Sequence, residues 1–556
     1  MNPSTGGLRK WLSSLCAVVA ICAPAIGQTL TLDLSQTDQQ LLGFGAQIWA
    51  GDNSGQSAIT DLGMNFARLH HGVNFFSFPT QPPADEDFTA NDNFTAMKQY
   101  ISNNFNGPGG SEAWHLPSIQ SSATWAGQNG VDLILNEFQI AYSFLNPNQT
   151  RMQDEHVDDF ATFWAALIDY LNDNGVRPKY IELANEPNGT WNGLISQSDY
   201  NTLVKTTRSV LDTHGFSDVG ILGPGLNVLG DVSWVDSLDT DGVDSLAGWS
   251  THAWDDDLGI DAKAQQFETA VDAKDSQKPI FITEYATDKT SFNGSSYGDP
   301  DAGGNASDQP AFAVQSFNNT LSMINHGANA LVLWEASDQS WSNLTWGLKR
   351  TNGTNRPTYF ATKTLVDNLP NDATVVEQTW SDAELTIAAF LSGDKLIVAL
   401  ANTTDTTEAR TLDLTEAPGV LQFDLGQQYD GFTSNLNYSV IDGLVNVSVP
   451  GESTQTLVFD ILTPLSGDFN LDGSVDTDDL PLWEAGFGMQ SNATYGDGDA
   501  DDDGDVDGFD LLAWQQNLGG SLSLAAVSHA VPEPQTILIA CYFGAGLGLL
   551  HRRKRR

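Results

Sequence analysis

Two glutamates in this chain stand where a carboxylate can do chemistry. Glu186 closes the run Tyr180-Ile181-Glu182-Leu183-Ala184-Asn185-Glu186-Pro187, and Glu284 closes Pro279-Ile280-Phe281-Ile282-Thr283-Glu284-Tyr285. Each follows an apolar stretch that reads as a strand, so each marks a strand's C-terminal end. Two carboxyl groups held about 5–5.5 Å apart can divide the work of cleaving an acetal. One protonates the leaving oxygen while the other attacks the carbon. Other residues gather at comparable strand ends. Arg68 lies in Phe66-Ala67-Arg68-Leu69-His70, His252 and Trp254 in Ser250-Thr251-His252-Ala253-Trp254, and Trp334 in Leu331-Val332-Leu333-Trp334-Glu335. Trp49 follows Gly43-Phe44-Gly45, Tyr285 adjoins Glu284, and Glu137 follows another apolar run. Indole rings suit the apolar C–H faces of sugars. The central region carries no His-Glu-x-x-His motif and no histidine cluster, so no catalytic cofactor is expected.

These side chains need a frame that brings distant strand ends together. Short apolar runs recur at Leu41–Ile48, Asn65–His70, Val131–Asn136, Lys179–Ala184, Val219–Gly223, Gly248–His252, Pro279–Thr283 and Ala328–Trp334. Helical patterns intervene, as at Val157–Leu171, Ser198–His214 and Ala262–Lys274. Eight strands alternating with helices predict an α/β chain folded as a (β/α)8 TIM barrel over residues 41–371, a fold whose functional groups sit at C-terminal strand ends. Strand-like runs then follow one another without helices at Leu385–Phe390, Lys395–Ala401, Arg410–Leu414, Leu444–Val449 and Thr456–Ile461. They predict an antiparallel β-sandwich over residues 372–462. Residues 28–40, with the alternating run Thr29–Leu34, are expected to add a strand to it.

The Asn-Glu-Pro motif, the strand-terminal Glu284 and the sandwich together resemble clan A glycoside hydrolases over residues 29–462. Family 30 is the most similar, because its sandwich uses both chain ends, with families 39 and 5 as rivals. The resemblance implies retaining hydrolysis of a β-linked polysaccharide, such as xylan or β-glucan, with endo action favoured. It makes Glu186 the acid/base and Glu284 the nucleophile. It also implies substrate contacts at Asn185, Arg68, His252, Trp254, Trp334, Trp49 and Tyr285, with Arg68 paired to Glu284. The long stretch Phe75–Ala126, rich in Asn, Gly and Pro, is expected to wall the cleft. A non-catalytic carbohydrate-binding or surface scaffold protein on the same fold is the alternative.

Residues 463–520 hold a duplicated motif. Asp468, Asn470, Asp472, Ser474, Asp476 and Asp479 recur 31 positions later as Asp499, Asp501, Asp503, Asp505, Asp507 and Asp510. Glycine stands at the sixth place of both copies, as Gly473 and Gly504, and each copy runs into an apolar tail. Oxygen ligands at positions 1, 3, 5, 7, 9 and 12 with that glycine suit Ca2+. The pair resembles a type I dockerin, which implies structural Ca2+ and a cohesin-like partner; a calcium-rigidified stalk is the other reading.

The chain has 556 residues, with 71 Asp+Glu against 24 Lys+Arg and a net charge of −47. That balance excludes nucleic acid as a partner. Its cations collect at the ends. Arg9-Lys10 precedes the apolar run Trp11–Ala23, the pattern of a signal peptide over residues 1–27. Residues 521–556 contain Val531-Pro532-Glu533-Pro534, the apolar run Ile537–Leu550 and the basic tail Arg552–Arg556. That order resembles a PEP-CTERM sorting signal, which implies a Gram-negative source, a transmembrane helix, export to the cell envelope or beyond, and a sorting protease as partner. The three cysteines, Cys16, Cys22 and Cys541, all lie in these end segments, so no disulfide is expected in the exported body.

Overall fold

A computed structural model describes residues 27–70, 91–106, 115–136, 148, 150–190, 193–254, 259–292 and 294–522. The apolar runs near both termini, the Pro-Glu-Pro motif and Glu137 lie outside these residues. Among the described residues, no helix is long and apolar enough to cross a membrane.

Eight parallel strands close into a barrel. They are Gly43–Trp49, Phe66–His70, Asp132–Asn136, Tyr180–Glu182, Gly220–Leu226, Gly248–Ala253, Ile280–Tyr285 and Ala328–Leu333, and the last pairs with the first. All eight expected strands are present, because each apolar run is short and bounded by turn residues. Helices Val157–Asp173, Gln197–Thr213, Ile260–Asp275 and Pro310–Ile324 cover the outside. Inward positions repeat every second residue, as a strand requires. Phe66, Ile134, Leu222, Phe281, Ala330 and Val332 fill the barrel floor. One layer nearer the C-terminal mouth the inward residues turn polar: Gln47, Arg68 and Glu182 are all buried.

The stretch expected as a loop wall is partly helical, since Asn91–Asn106 and His115–Asn129 both form helices. Phe94, Met97, Tyr100, Ile101 and Phe105 are buried at helical spacing on the first of them. The Asn and Gly content around this apolar stripe masked it.

The sandwich packs a four-stranded sheet on a seven-stranded one. Gln28–Thr31 pairs in parallel with Glu408–Asp413 in the smaller sheet. Thr37–Gln40 forms the edge of the larger sheet beside Thr374–Val376. The N-terminal segment thus supplies two strands rather than one, and the second, Thr-Asp-Gln-Gln, has no apolar pattern. Val420–Tyr429 was also unexpected. A bulge between Phe423 and Leu425 breaks its alternation. Barrel and sandwich share one core, in which Phe390, Ile397, Tyr429 and Val458 join the barrel's outer residues.

His326 ties two helices at this junction. Its ring meets Asp261 at 3.2 Å and Glu268 at 3.3 Å. Burial would lower its pKa, but the bonds to both carboxylates prevail and raise it to about 9. A raised folded pKa stabilises fully below the unfolded value, near 6.5, and the contribution fades as pH rises through about 9. His326→Gln is therefore expected to lose more stability at pH 6 than at pH 10. Equal losses in urea titrations at the two pH values would refute this.

Residues 463–522 form two loop–helix copies, with helices Leu480–Gly486 and Gly508–Asn517. The copies embrace symmetrically: Trp483 donates to the Asp507 carbonyl at 2.8 Å, and Trp514 to the Asp476 carbonyl at 2.7 Å. Phe469, Val475 and Trp514 make the buried core.

Candidate active site

Arg68 is the centre of the barrel mouth, fully buried on the second strand. Its Nε donates to Glu182 at 2.8 Å, Nη1 to Glu284 at 2.6 Å and to Gln47 at 3.3 Å, and Nη2 to Asn185 at 2.6 Å. Burial alone would lower its pKa, but the charges on Glu182 and Glu284 raise it overall. Glu182 shows the mirror effect. Burial favours its neutral form, yet the Arg68 charge and the Thr283 hydroxyl hold it below the usual carboxylate range. Thr283 donates to its Oε1 at 2.6 Å.

Thr283 and Glu284 are consecutive, yet both reach this inner network. A register shift explains how: Thr251 pairs with Ile282 while His252 pairs with Glu284, leaving Thr283 as an extra residue. Such a bulge re-aims the side chains that follow it. Glu284 then accepts from Arg68 through Oε2 and from Trp254 Nε1 through Oε1 at 2.8 Å. The same shift sends Tyr285 outward. Its ring is buried against helix Pro310–Ile324, with the hydroxyl 2.9 Å from Thr320 Oγ1. Tyr285 is therefore not a substrate contact.

Glu186 sits past the fourth strand with φ at 50°. For a residue with a Cβ this left-handed backbone costs about 1–2 kcal/mol. It is pinned by a bond from its own N–H to the Gly225 carbonyl at 3.0 Å. Gly225 has a positive φ, and an added Cβ there would press on the Ala184 carbonyl and on Glu182 Oε1.

His252 bridges the two glutamates. Nδ1 lies 3.0 Å from Glu186 Oε1 and 3.9 Å from Glu284 Oε1. Its Nε2 faces Arg68 Nη2 at 3.2 Å. A guanidinium only donates, so Nε2 is the bare nitrogen, and the Nδ1 proton points to Glu186. His252 is fully buried with both nitrogens engaged, so it positions Glu186 rather than touching sugar. Oxygens of Glu186 and Glu284 and a nitrogen of His252 all lie within 4.8 Å of one another. A metal ion there would take Nδ1 and force the proton onto Nε2, against the Arg68 donor. The arrangement suits proton transfer instead.

Aromatic rings line the mouth. Trp334 lies edge-on to Trp49 at 6.4 Å, and Trp49 is 5.1 Å from His70. Trp254 lies 5.4 Å from Trp346. Sequence reasoning missed Glu182, Gln47, Trp341 and Glu335. Glu182 was legible as a charge inside an apolar strand, while Trp341 belongs to a loop without periodicity.

No protein-family model matches the chain, and neither does any curated protein. Solved structures do. A family 30 endoxylanase from Clostridium papyrosolvens is 16% identical, with a TM-score of 0.58 over 78% of this chain and 100% of the other. A family 30 subfamily 8 xylanase from Clostridium acetobutylicum is 15% identical, with a TM-score of 0.56 over 78% and 99%. An endo-β-1,6-glucanase is 14% identical, with a TM-score of 0.52 over 79% and 96%. The barrel and sandwich thus have the fold seen in family 30 glycoside hydrolases.

Proposed function

We propose that this chain is an exported retaining β-glycoside hydrolase that cuts within a polysaccharide such as xylan or a β-glucan. The carrying observation is that Glu186 and Glu284 each place a carboxylate oxygen within 4.8 Å of the other. Retaining enzymes hold their carboxyls about 5–5.5 Å apart, and inverting ones about 6.5–9.5 Å. The xylanase and endoglucanase neighbours support the substrate class and the endo action.

In the first step Glu284 attacks the anomeric carbon while the bond to the leaving oxygen breaks. Glu186 gives that oxygen its proton. In the second step Glu186 takes a proton from water, whose oxygen displaces Glu284 from the sugar. Arg68 and Trp254 hold Glu284 in line, and His252 orients Glu186. Asn185 accepts from Arg68 through Oδ1, so it meets the sugar 2-hydroxyl as a donor through Nδ2. Proton NMR of the first product from a β-linked substrate should show the β-anomer. An α-anomer defeats the mechanism, and no cleavage across a polysaccharide panel favours a non-catalytic carbohydrate-binding protein.

The duplicated loops are read as structural Ca2+ sites. Asp468 and Asp479 are buried with Asp472 and Asp476 alongside, as are Asp499 and Asp510 in the second copy. Burial, then Asp479, pushes the Asp468 carboxyl up to about 6, the mark of a carboxylate lacking a counter-charge. Oxygens of Asp499, Asp501 and Asp503 lie within 4.8 Å of one another, as do those of Asp505, Asp507 and Asp510. Asp505 Oδ1 is buried without a partner among the described residues. Asn470 and Ser474 complete the first donor set. Calorimetry of the EDTA-treated full chain should find two Ca2+ per chain and refolding around Trp483 and Trp514; no heat and no fluorescence change would overturn it. A cohesin-like partner for this module, and a sorting protease acting near Pro532, belong to the same reading. So does a place in the cell envelope or outside it, for which the two end segments are the support.

A further inference from the structure

Glu335 is nearly inaccessible, 1% exposed, directly after Trp334. Its Oε2 accepts from Trp49 Nε1 at 2.8 Å. Its Oε1 has no partner among the described residues, so the indole N–H is the side chain's one hydrogen bond there. Burial first, then the charges of Asp338 and Asp52, push this carboxyl up to about 8, although the Trp49 bond pulls the other way. A buried polar group with one bond is costly, and what this one fixes is the plane of Trp49.

Trp49 in turn meets Trp341 at 4.9 Å with the rings perpendicular. Trp341 is 65% exposed and Trp49 half-buried, so the two perpendicular indoles form a corner at the protein surface. The corner lies beside the catalytic pair. Trp49 contacts His70, and His70 stands two residues beyond Arg68 on the same strand face. At the usual rise that is roughly 7 Å from the level of the Arg68–Glu284 contact, the scale of one sugar residue. An indole face stacks on the apolar face of a pyranose, and the perpendicular ring leaves the equatorial hydroxyls open to water.

We propose that Glu335 is a positioning residue which, by fixing Trp49, shapes the Trp49–Trp341 corner into a subsite for a pyranose ring of the glycan chain beyond the bond being cut. The inference rests on the glycoside hydrolase reading and adds a binding determinant to it.

The test uses the full chain, with xylohexaose and a β-1,6-linked glucohexaose as probes. On the hexaose that the wild type cleaves, Glu335→Leu and Trp341→Ala should raise KM about tenfold with kcat within threefold. The KM defect should shrink as the substrate is shortened to a disaccharide. Glu335→Gln keeps an acceptor for Trp49 and should restore KM to within twofold. Three results would overturn the proposal: an unchanged KM for Trp341→Ala, a Gln variant as impaired as Leu, or a defect independent of chain length. If Glu335→Leu fails to fold, Trp341→Ala and Glu335→Gln still decide. If the wild type cleaves neither hexaose, the polysaccharide panel decides the catalytic reading separately, and intrinsic fluorescence titration decides the corner. Tenfold weaker hexaose binding by Trp341→Ala then upholds it, and equal or absent binding ends it.

Discussion

Glu284→Gly is expected to lower turnover of an aryl β-glycoside on the order of 10⁴-fold, and sodium azide is expected to restore part of it. The outcome follows from the proposed role of Glu284 as nucleophile, whose two oxygens are each held, one by Arg68 and one by Trp254. Removing the side chain leaves these donors facing a space the size of a small anion, next to the anomeric carbon. Azide entering there displaces the leaving group once, and the product is the α-glycosyl azide. A 10⁴-fold loss corresponds to about 5.4 kcal/mol of transition-state stabilisation. Glu186→Ala should respond differently. Aryl substrates with good leaving groups need little acid help, so their first step survives, while natural glycans lose about 10²–10⁴-fold. Azide then gives the β-glycosyl azide, because the sugar is already inverted on Glu284. NMR of the two azides separates the roles, and the same anomer from both variants would reject the assignment.

Arg68→Met should cost about 3–5 kcal/mol of folding stability at pH 7, the usual loss when one partner of a buried pair is removed. Arg68 and Glu182 are fully buried, and Glu284 nearly so. Methionine fills the volume but leaves two carboxylates without their counter-charge. The pH dependence has a definite sign. Glu182 has a depressed folded pKa, so its contribution is present above the unfolded value, near 4.5, and is lost as pH falls through the folded value. The penalty of Arg68→Met must therefore be smaller at pH 4 than at pH 7. Urea titrations at both pH values check it, and a pH-independent penalty would show that Arg68 acts through packing alone.

The barrel was legible because its inner and outer positions obey a simple period. Glu186, Arg68, His252 and Trp254 could be placed from their positions at the strand ends. Tyr285 could not, because strict alternation along Phe281, Thr283 and Tyr285 puts it inside and Glu284 outside. The bulge at Thr283 reverses both, and nothing in the residue types announces it. Glu182 stood out only as a charge inside an apolar run, and its role stayed hidden because its partners Arg68 and Thr283 lie on other strands. His252 changed roles, from sugar contact to a bridge between Arg68 and Glu186, because only the assembled ring positions reveal that both nitrogens are engaged. In the sandwich, Leu385–Ser392 and Lys395–Asn402 were apolar enough to read. Thr37–Gln40 was not, since an edge strand can be polar throughout.

The strand Gln28–Thr31, which pairs in parallel with Glu408–Asp413, sets an order of events for the growing chain. The first residues of the folded body wait for a partner almost four hundred positions downstream, and the sandwich cannot close until nearly all of it has been synthesised. Loop closure over such a span is slow, and so is any topology dominated by distant pairings. The barrel's own seam, where Ala330 meets Gly43, is the earlier and shorter closure. The body is therefore threaded like a belt, with its buckle fastened last, and a chain cut after the barrel would carry two strands with nothing to hold them.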